Sequence, residues 1–307
     1  MSPGEVRSRS TDRARLPMDP VVAMLVIGSA VLHPVREVFI KDSACPEGLA
    51  YAVMTQFALL AGLHVAIAGS DPWAALEVWP LAVASAVALI AYFLSTVMCL
   101  KLGDVSVYYP IMRSSPLFVV VAGHFVLGQH YPIVLLAGIA IVLVSAFLIQ
   151  YERGNARLFD NGRALALAVA AMCAHGVITL VDAEAMRSVR PEEFLLLTYM
   201  VVLPGMAAVF VATRPRGRGA LEHLFAGWWT TPGRFLCAGM LSYLSYCILL
   251  IAFHMGGNVA AVASLRQISI PVSVILGAVV LGERRLMGRF GWSALLAFGV
   301  ALILVVR

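Results

Sequence analysis

Two arginines lie inside apolar segments that are long enough to cross a membrane. Arg113 comes eight residues after Val105, where the first segment begins, and Arg266 comes seven residues after Val259, where the second begins. An ionised arginine at that depth costs roughly 3 kcal/mol unless it faces a partner or a wet cavity. Its guanidinium binds carboxylate or phosphate through two parallel hydrogen bonds. We expect the pair to line a central cavity and attract an anionic or zwitterionic solute; internal ion pairing, or extension to the membrane surface, is the alternative.

The two arginines belong to two copies of one pattern. The first copy, from Gly103, reads GDVSVYYPIMRSSPLFVVVAGHFVLGQHY, and the second, from Gly257, reads GNVAAVASLRQISIPVSVILGAVVLGERR. The offset is constant at 257 − 103 = 154 residues, close to half of the chain. The alignment places Arg113 opposite Gln267, which makes Gln267 a third candidate for solute binding.

Prolines and tyrosines accompany the arginines. Pro110 and Pro116 bracket Arg113, and Pro271 follows Arg266 by five residues. Each proline removes one intrahelical hydrogen bond, so we predict that both segments bend beside their arginine. Four tyrosines are candidates for an aromatic wall of the cavity or, alternatively, for core or lipid contact: Tyr108, Tyr109, Tyr243 and Tyr246.

Two histidines occupy matching places in the two halves. His33 is the fifth residue of the run SAVLHPV, and His175 is the fifth residue of the run AMCAHGV, 175 − 33 = 142 residues later. Imidazole titrates near neutral pH, so each is a candidate for substrate binding or proton relay. A histidine that is hydrogen-bonded between helices is the alternative interpretation.

The acidic residues near span ends have a simpler explanation. Glu37 lies four residues before Lys41, a spacing that favours an ion pair at the membrane edge, although a role in the site is also open. Asp182 and Glu184 fall just after a predicted span that ends at Val181, with Arg187 beyond them. We expect these two acids to form ion pairs at the membrane surface.

The elements that position these residues are predicted to be membrane-spanning helices. The chain is 61% hydrophobic and only 13% charged, and its apolar runs of about 20 residues match a hydrocarbon core of about 30 Å. We count ten spans, five in residues 20–150 and five in residues 163–306, after a polar tail at 1–19 and around a polar loop at 151–162. Five spans per half force the second half to enter the membrane from the opposite side. The sequence therefore predicts an all-α membrane protein with two inverted-topology five-helix repeats around a central cavity.

The two copies resemble the helix signatures of a known family. YYPIMRSSPLFVVVAGHFVLG is similar to the fourth-helix signature of EamA-type carriers of the drug/metabolite transporter superfamily, and ASLRQISIPVSVILGAVVLGERR to its repeat in the ninth helix. The resemblance implies a cavity lined by the first four helices of each half, with the fifth and tenth set to the side. It implies export or exchange of small organic solutes such as amino acids. The residues that fall on the family's motif are Arg113, Ser114, Pro116, Arg266 and Gln267. Gln129 stands where the family usually has a glutamate, and Glu283 keeps that glutamate in the second copy.

We therefore expect a secondary transporter, an exporter or exchanger of a small anionic or zwitterionic metabolite, in the bacterial inner membrane. No motif of an enzyme, a metal site or a nucleotide-binding loop is present, so we expect no catalysis, cofactor or metal. The expected partners are the solute, membrane lipid and a proton or counter-substrate, with no nucleic acid, in a monomer or homodimer. The alternative is a subunit of a lipid-linked flippase or a membrane scaffold that transports nothing.

Overall fold

Apolar runs fold as helices in a bilayer because a helix satisfies its backbone hydrogen bonds within itself. The computed structural model describes residues 18–40, 46–102, 105–126, 128–150, 161–213, 232–273, 275 and 287–305. Within these ranges the chain is helical, with turns between the helices and no strand. The predicted all-α class is confirmed.

The helices of the described residues are numbered in chain order. In the first half they are α1 (Pro20–Ile40), α2 (Pro46–Ala68), α3 (Trp79–Leu102), α4 (Val105–Met112), α5 (Ser115–Phe125) and α6 (Ile133–Gln150). A short 3₁₀ helix, Ala74–Val78, leads into α3. In the second half they are α7 (Gly162–Ala185), α8 (Pro191–Thr213), α9 (Pro232–His254), α10 (Val259–Leu265) and α11 (Met287–Val305).

Among the described residues, five helical segments are long and apolar enough to cross a membrane. They have 20 to 26 residues each: Gly48–Ala68, Ala74–Cys99, Gly162–Ala185, Pro191–Ala212 and Phe235–His254. At 1.5 Å per residue, 20 residues extend about 30 Å, the thickness of the hydrocarbon core. Four further apolar helices are shorter: Pro20–Val35, Ile133–Ile149, Val259–Ser273 and Gly291–Val305.

Both arginine-bearing segments are broken, as their prolines predict. The first is interrupted by a turn at 113–114 between α4 and α5, and the second by the 3₁₀ turn Arg266–Ile268 after α10, followed by a helical turn at 269–273. Pro116 and Pro271 have no N–H to donate to the residue four positions earlier, which is Met112 in one segment and Gln267 in the other. In each segment the carbonyl that loses its hydrogen bond therefore lies next to the break or within it.

Four helix pairs form the frame around these breaks. α3 packs along α7, α1 along α9, α6 along α11 and α2 along α8. The α6–α11 pair approaches closely through glycines, because a Cβ on Gly138 would lie 3.1 Å from the Gly299 carbonyl oxygen. The broken segments lie between the other pairs, where α5 contacts both α7 and α10, and the Arg266–Ile268 turn contacts α1.

Candidate functional site

The two broken segments meet at Arg113. Its guanidinium Nη2 lies 3.3 Å from the Ser269 Oγ of the other segment, and its Cζ lies 5.5 Å from the centre of the Tyr109 ring. The Gln267 amide donates from Nε2 to the Arg113 carbonyl oxygen at 2.9 Å. Gln267 is the residue that the repeat alignment places opposite Arg113, so the two aligned positions are in direct contact. Arg113, Gln267 and Tyr109 therefore belong to one site.

Arg266 approaches the same site from the other segment. Its Cζ lies 5.8 Å from the centre of the Tyr246 ring on α9, a favourable cation–π distance. Both Arg266 and Arg113 act electrostatically on His175 of α7. Two cationic side chains, one from each copy, therefore lie within electrostatic range of one histidine.

His175 is held in a defined orientation. Its Nδ1 lies 2.8 Å from the Ser115 Oγ, and the centre of its ring lies 5.2 Å from that of Tyr92. Ser115 is the first residue of α5, directly after the break, so the break places this hydroxyl against the histidine. The neighbouring Gly176 has no side chain, which lets the Phe118 ring of α5 pack directly on α7. That close contact fixes the distance between the broken segment and His175.

Gln267 also presents a hydrogen-bond acceptor to the site. The residue is 6% exposed, and its Oε1 is buried with no hydrogen-bond partner among the described residues. A buried amide oxygen without a donor is unfavourable by about 1–3 kcal/mol. A bound solute that carries a hydrogen-bond donor would satisfy it.

Asp182 is a residue that sequence reasoning placed wrongly. The sequence predicts ion pairs at the membrane surface for both Asp182 and Glu184, with Arg187 beyond them. The helix α7 instead continues to Ala185, four residues beyond the predicted end, and Asp182 faces inward, 2% exposed. Its carboxylate accepts hydrogen bonds from the Ser85 Oγ at 2.6 Å and from the Tyr246 hydroxyl. The surface expectation holds for Glu184 alone, whose Oε2 lies 2.8 Å from Nη1 of Arg187.

The remaining predicted site residues lie at varied distances from this centre. His33 is partly buried on α1, the helix that contacts the Arg266–Ile268 turn. Ser114 donates from its Oγ to the Pro110 carbonyl oxygen at 2.8 Å, so it stabilises the break rather than facing the solute. The Tyr243 hydroxyl lies 3.0 Å from the His64 Nδ1, on the α2 side of α9. The Glu37 side chain lies outside the described residues.

The side chains of this site differ in charge and in hydrogen-bonding capacity. Within the described ranges, no group of three or more His, Cys, Asp or Glu side chains is placed to hold a metal ion. The convergent groups are two guanidiniums, an imidazole, a serine hydroxyl and an amide oxygen. Together they offer positive charge for an acidic group and an acceptor for a donor group.

Comparison with known proteins adds information on the fold. No protein-family model and no curated protein matches the chain. The structure is similar to a crystal structure of another protein, with a TM-score of 0.70 over 92% of this chain and 94% of that one, at 16% sequence identity. At this identity the likeness shows that the two proteins share a fold over nearly their whole lengths.

Proposed function

We propose that the chain is a secondary transporter of the EamA type that moves a small anionic or zwitterionic metabolite across a membrane. The observation that carries the proposal is the convergence of Arg113 and Arg266, one from each copy of a repeated segment, at breaks in two apolar helices. Cations within apolar helices of membrane-spanning length mark a solute or ion pathway more often than a structural feature. The proposed setting is the bacterial inner membrane, as a monomer or homodimer.

The helix packing supports two repeats of inverted topology. We match α1, α2 and α3 to α7, α8 and α9, the pair α4–α5 to α10 with its following turn, and α6 to α11. Under this exchange the α1–α9 contact becomes the α7–α3 contact, and the α2–α9 contact becomes the α8–α3 contact. The α2–α8 and α6–α11 contacts each become themselves. Paired contacts of this kind are expected when five-span repeats enclose a site at their interface.

In the proposed complex the two guanidiniums bind the acidic group of the solute. The Gln267 Oε1 accepts a hydrogen bond from a donor such as an ammonium or hydroxyl group of the same molecule. The wall of the site is formed by His175 with Ser115, and by the rings of Tyr109 and Tyr246. A zwitterion offers an acidic group to the two guanidiniums and a hydrogen-bond donor to the Gln267 Oε1, which is why we favour a solute that carries both groups.

The breaks provide the proposed movement. Each arginine lies at a point where its helix has lost hydrogen bonds, so the two parts of each segment can change their angle without breaking further ones. Alternate tilting of the two halves would open the site first to one side of the membrane and then to the other. In the absence of a nucleotide-binding motif, the driving force is a gradient of a proton or a counter-substrate.

The test is transport in proteoliposomes with labelled glutamate, aspartate, alanine, phenylalanine, succinate and citrate. We expect at least one of these solutes to be exchanged, and Arg113→Ala and Arg266→Ala each to lower the rate at least about tenfold, which corresponds to 1.4 kcal/mol. Arg187→Ala is the matched control, because it removes an exposed arginine that pairs only at the surface. Arginine variants that fold and transport like the wild type would refute the site. If no solute moved, a scaffold would be favoured, and movement of a fluorescent lipid would favour the flippase.

A further inference from the structure

A buried carboxylate lies one contact away from the arginine site. Asp182 is 2% exposed, and its two oxygens accept hydrogen bonds from two different helices, from Ser85 on α3 and from Tyr246 on α9. Burial of a carboxylate inside an apolar bundle is expensive, and such residues mark ion or proton pathways. The proposed solute site does not use this group.

Asp182 lies between the arginine site and one surface of the membrane. It precedes the end of α7 at Ala185 by three residues, or about 4.5 Å along the helix axis. The exposed Glu184–Arg187 ion pair lies beyond it at that surface. Ser85 follows Trp79, the first residue of α3 and an exposed aromatic residue of the kind that lies at membrane surfaces, by six residues. A proton from this side therefore has a short path to the carboxylate.

Tyr246 connects the carboxylate to the solute site. Its hydroxyl donates to the Asp182 Oδ2, and its ring lies against the Arg266 guanidinium. Arg266 also acts on Asp182 electrostatically. The other groups that face this cluster are the uncharged Ser85 from α3 and, behind Tyr246, Tyr199 from α8. Among the described residues that face Asp182, Arg266 is therefore the cation whose charge acts on the carboxylate.

We propose that Asp182 is the proton-binding residue that couples transport to a proton gradient. Binding of the acidic group of the solute neutralises Arg266, which removes a positive charge that favours the ionised carboxylate. The carboxylate then takes up one proton, forming an O–H bond, and releases it when the solute leaves on the other side. Because binding linkage is reciprocal, solute and proton bind together and move in the same direction. A proton gradient directed into the cell would therefore drive uptake, in contrast to the export or exchange that the sequence predicts. This inference rests on the proposed transport function.

A purely structural role predicts a different result. If Asp182 only joined α7 to α3 and α9, a neutral amide at this position would serve, because the asparagine oxygen still accepts from Ser85 or Tyr246. Asp182→Asn keeps the volume and a hydrogen-bond acceptor and removes only the titratable proton. Glu184→Gln makes the same chemical change two residues away at the surface and is the matched control.

The experiment uses full-length protein in proteoliposomes with the best solute from the six named above. Two modes are compared: exchange at equal pH on both sides, and net accumulation driven by a pH gradient. For Asp182→Asn we expect exchange within about threefold of the wild type and loss of the gradient-driven accumulation, so that the accumulation ratio falls to one. Glu184→Gln should accumulate solute like the wild type. A wild type that ignores the gradient, or an Asp182→Asn variant that responds to it fully, would overturn the coupling while leaving the transport function intact.

A second measurement tests proton binding without transport. Infrared difference spectra of the wild type, recorded across a pH titration, should contain the carbonyl band of a buried protonated carboxyl group, and this band should be absent in Asp182→Asn. Tyr246→Phe, which keeps the ring against Arg266 but removes the hydroxyl, should shift the pH midpoint of the band. A spectrum in which the band is missing from the wild type, or persists in Asp182→Asn, would overturn the assignment even if no tested solute is transported.

Discussion

The α1–α9 and α7–α3 interfaces correspond to each other under the proposed repeat, yet they use opposite chemistry at their buried polar contacts. In the first, Ser29 donates from Oγ to the Ser245 carbonyl oxygen at 2.7 Å, and Ser245 donates in return to the Ser29 carbonyl oxygen at 2.8 Å. In the second, the carboxylate of Asp182 accepts from Ser85. One contact is neutral and satisfies itself, and the other contains a charge that requires donors from outside the pair.

The difference indicates which contact exists for stability. Paired serines join two helices through hydrogen bonds of modest strength and leave no group unsatisfied. A carboxylate does the same at a much higher desolvation cost, so a bundle that needed only adhesion would not use one. The two contacts are also not at equivalent depths, because the 142-residue offset matches Ser29 to Ala171, and Asp182 comes eleven residues later. The acid is thus an addition to one half rather than a feature of the shared repeat.

The largest expected effect comes from placing a carboxylate in the neutral interface. Ser29 is completely buried, and Ser245 can supply a single hydroxyl donor, so Ser29→Asp should lower the free energy of unfolding by at least about 3 kcal/mol. The measurement is SDS titration of purified protein in detergent micelles, followed by circular dichroism. Ser29→Asn, similar in size but uncharged, controls for volume. If Ser29→Asp were as stable as Ser29→Asn, burial of a charge at this position would cost little free energy, and the contrast between the two interfaces would fail.

A smaller effect is expected from removing one donor to Asp182. Ser85→Ala should cost about 1.5–3 kcal/mol in the wild type at alkaline pH, because the lost bond goes to a charged acceptor, but only about 0.5–1.5 kcal/mol in the Asp182→Asn background. The double-mutant cycle of these variants, measured by the same SDS titration, should therefore give a coupling near 1 kcal/mol. Equal costs in both backgrounds would show that Ser85 does not stabilise a negative charge.

Much of this arrangement could be predicted from residue types. The helices follow from apolar runs, and Pro116 and Pro271 each mark a place where a helix loses a hydrogen bond. Pro34 and Pro204 lie inside continuous helices, so a proline alone does not determine a break. The alignment identified Gln267 as the counterpart of Arg113, and the structure brings these two equivalent positions into contact. These predictions depend on local chemistry or on internal symmetry, both of which are visible in one sequence.

The environment of Asp182 could not be predicted in this way. Its position three residues from the end of α7 allows either surface or buried placement, and the choice depends on whether the helix continues for one more turn. The helix does continue, and packing with α3 and α9 then brings Ser85 and Tyr246, which are 97 and 64 residues away in sequence, to its two oxygens. The one available signal was that Glu184 lies three residues before Arg187, a spacing that favours an ion pair, whereas Asp182 lies five residues before it. The contact of Phe118 with Gly176 is equally invisible without the packing of α5 on α7.

The smallest expected effect comes from removing the serine hydroxyls, and the informative quantity is whether the effects of the two substitutions add. Each hydroxyl donates its single proton to a backbone carbonyl of the other helix, so the two bonds are independent although the oxygens lie 3.2 Å apart. Ser29→Ala and Ser245→Ala should each cost about 0.6 kcal/mol, and the double variant should cost nearly their sum, with a coupling below about 0.5 kcal/mol. Transport should remain at the wild-type rate in all three variants, since neither serine contacts the arginine site.

A strong coupling would mean that the serines bond to each other first. The neutral interface would then share the cooperative character assigned to the Asp182 contact, and the distinction between adhesion and proton coupling would have to rest on charge alone.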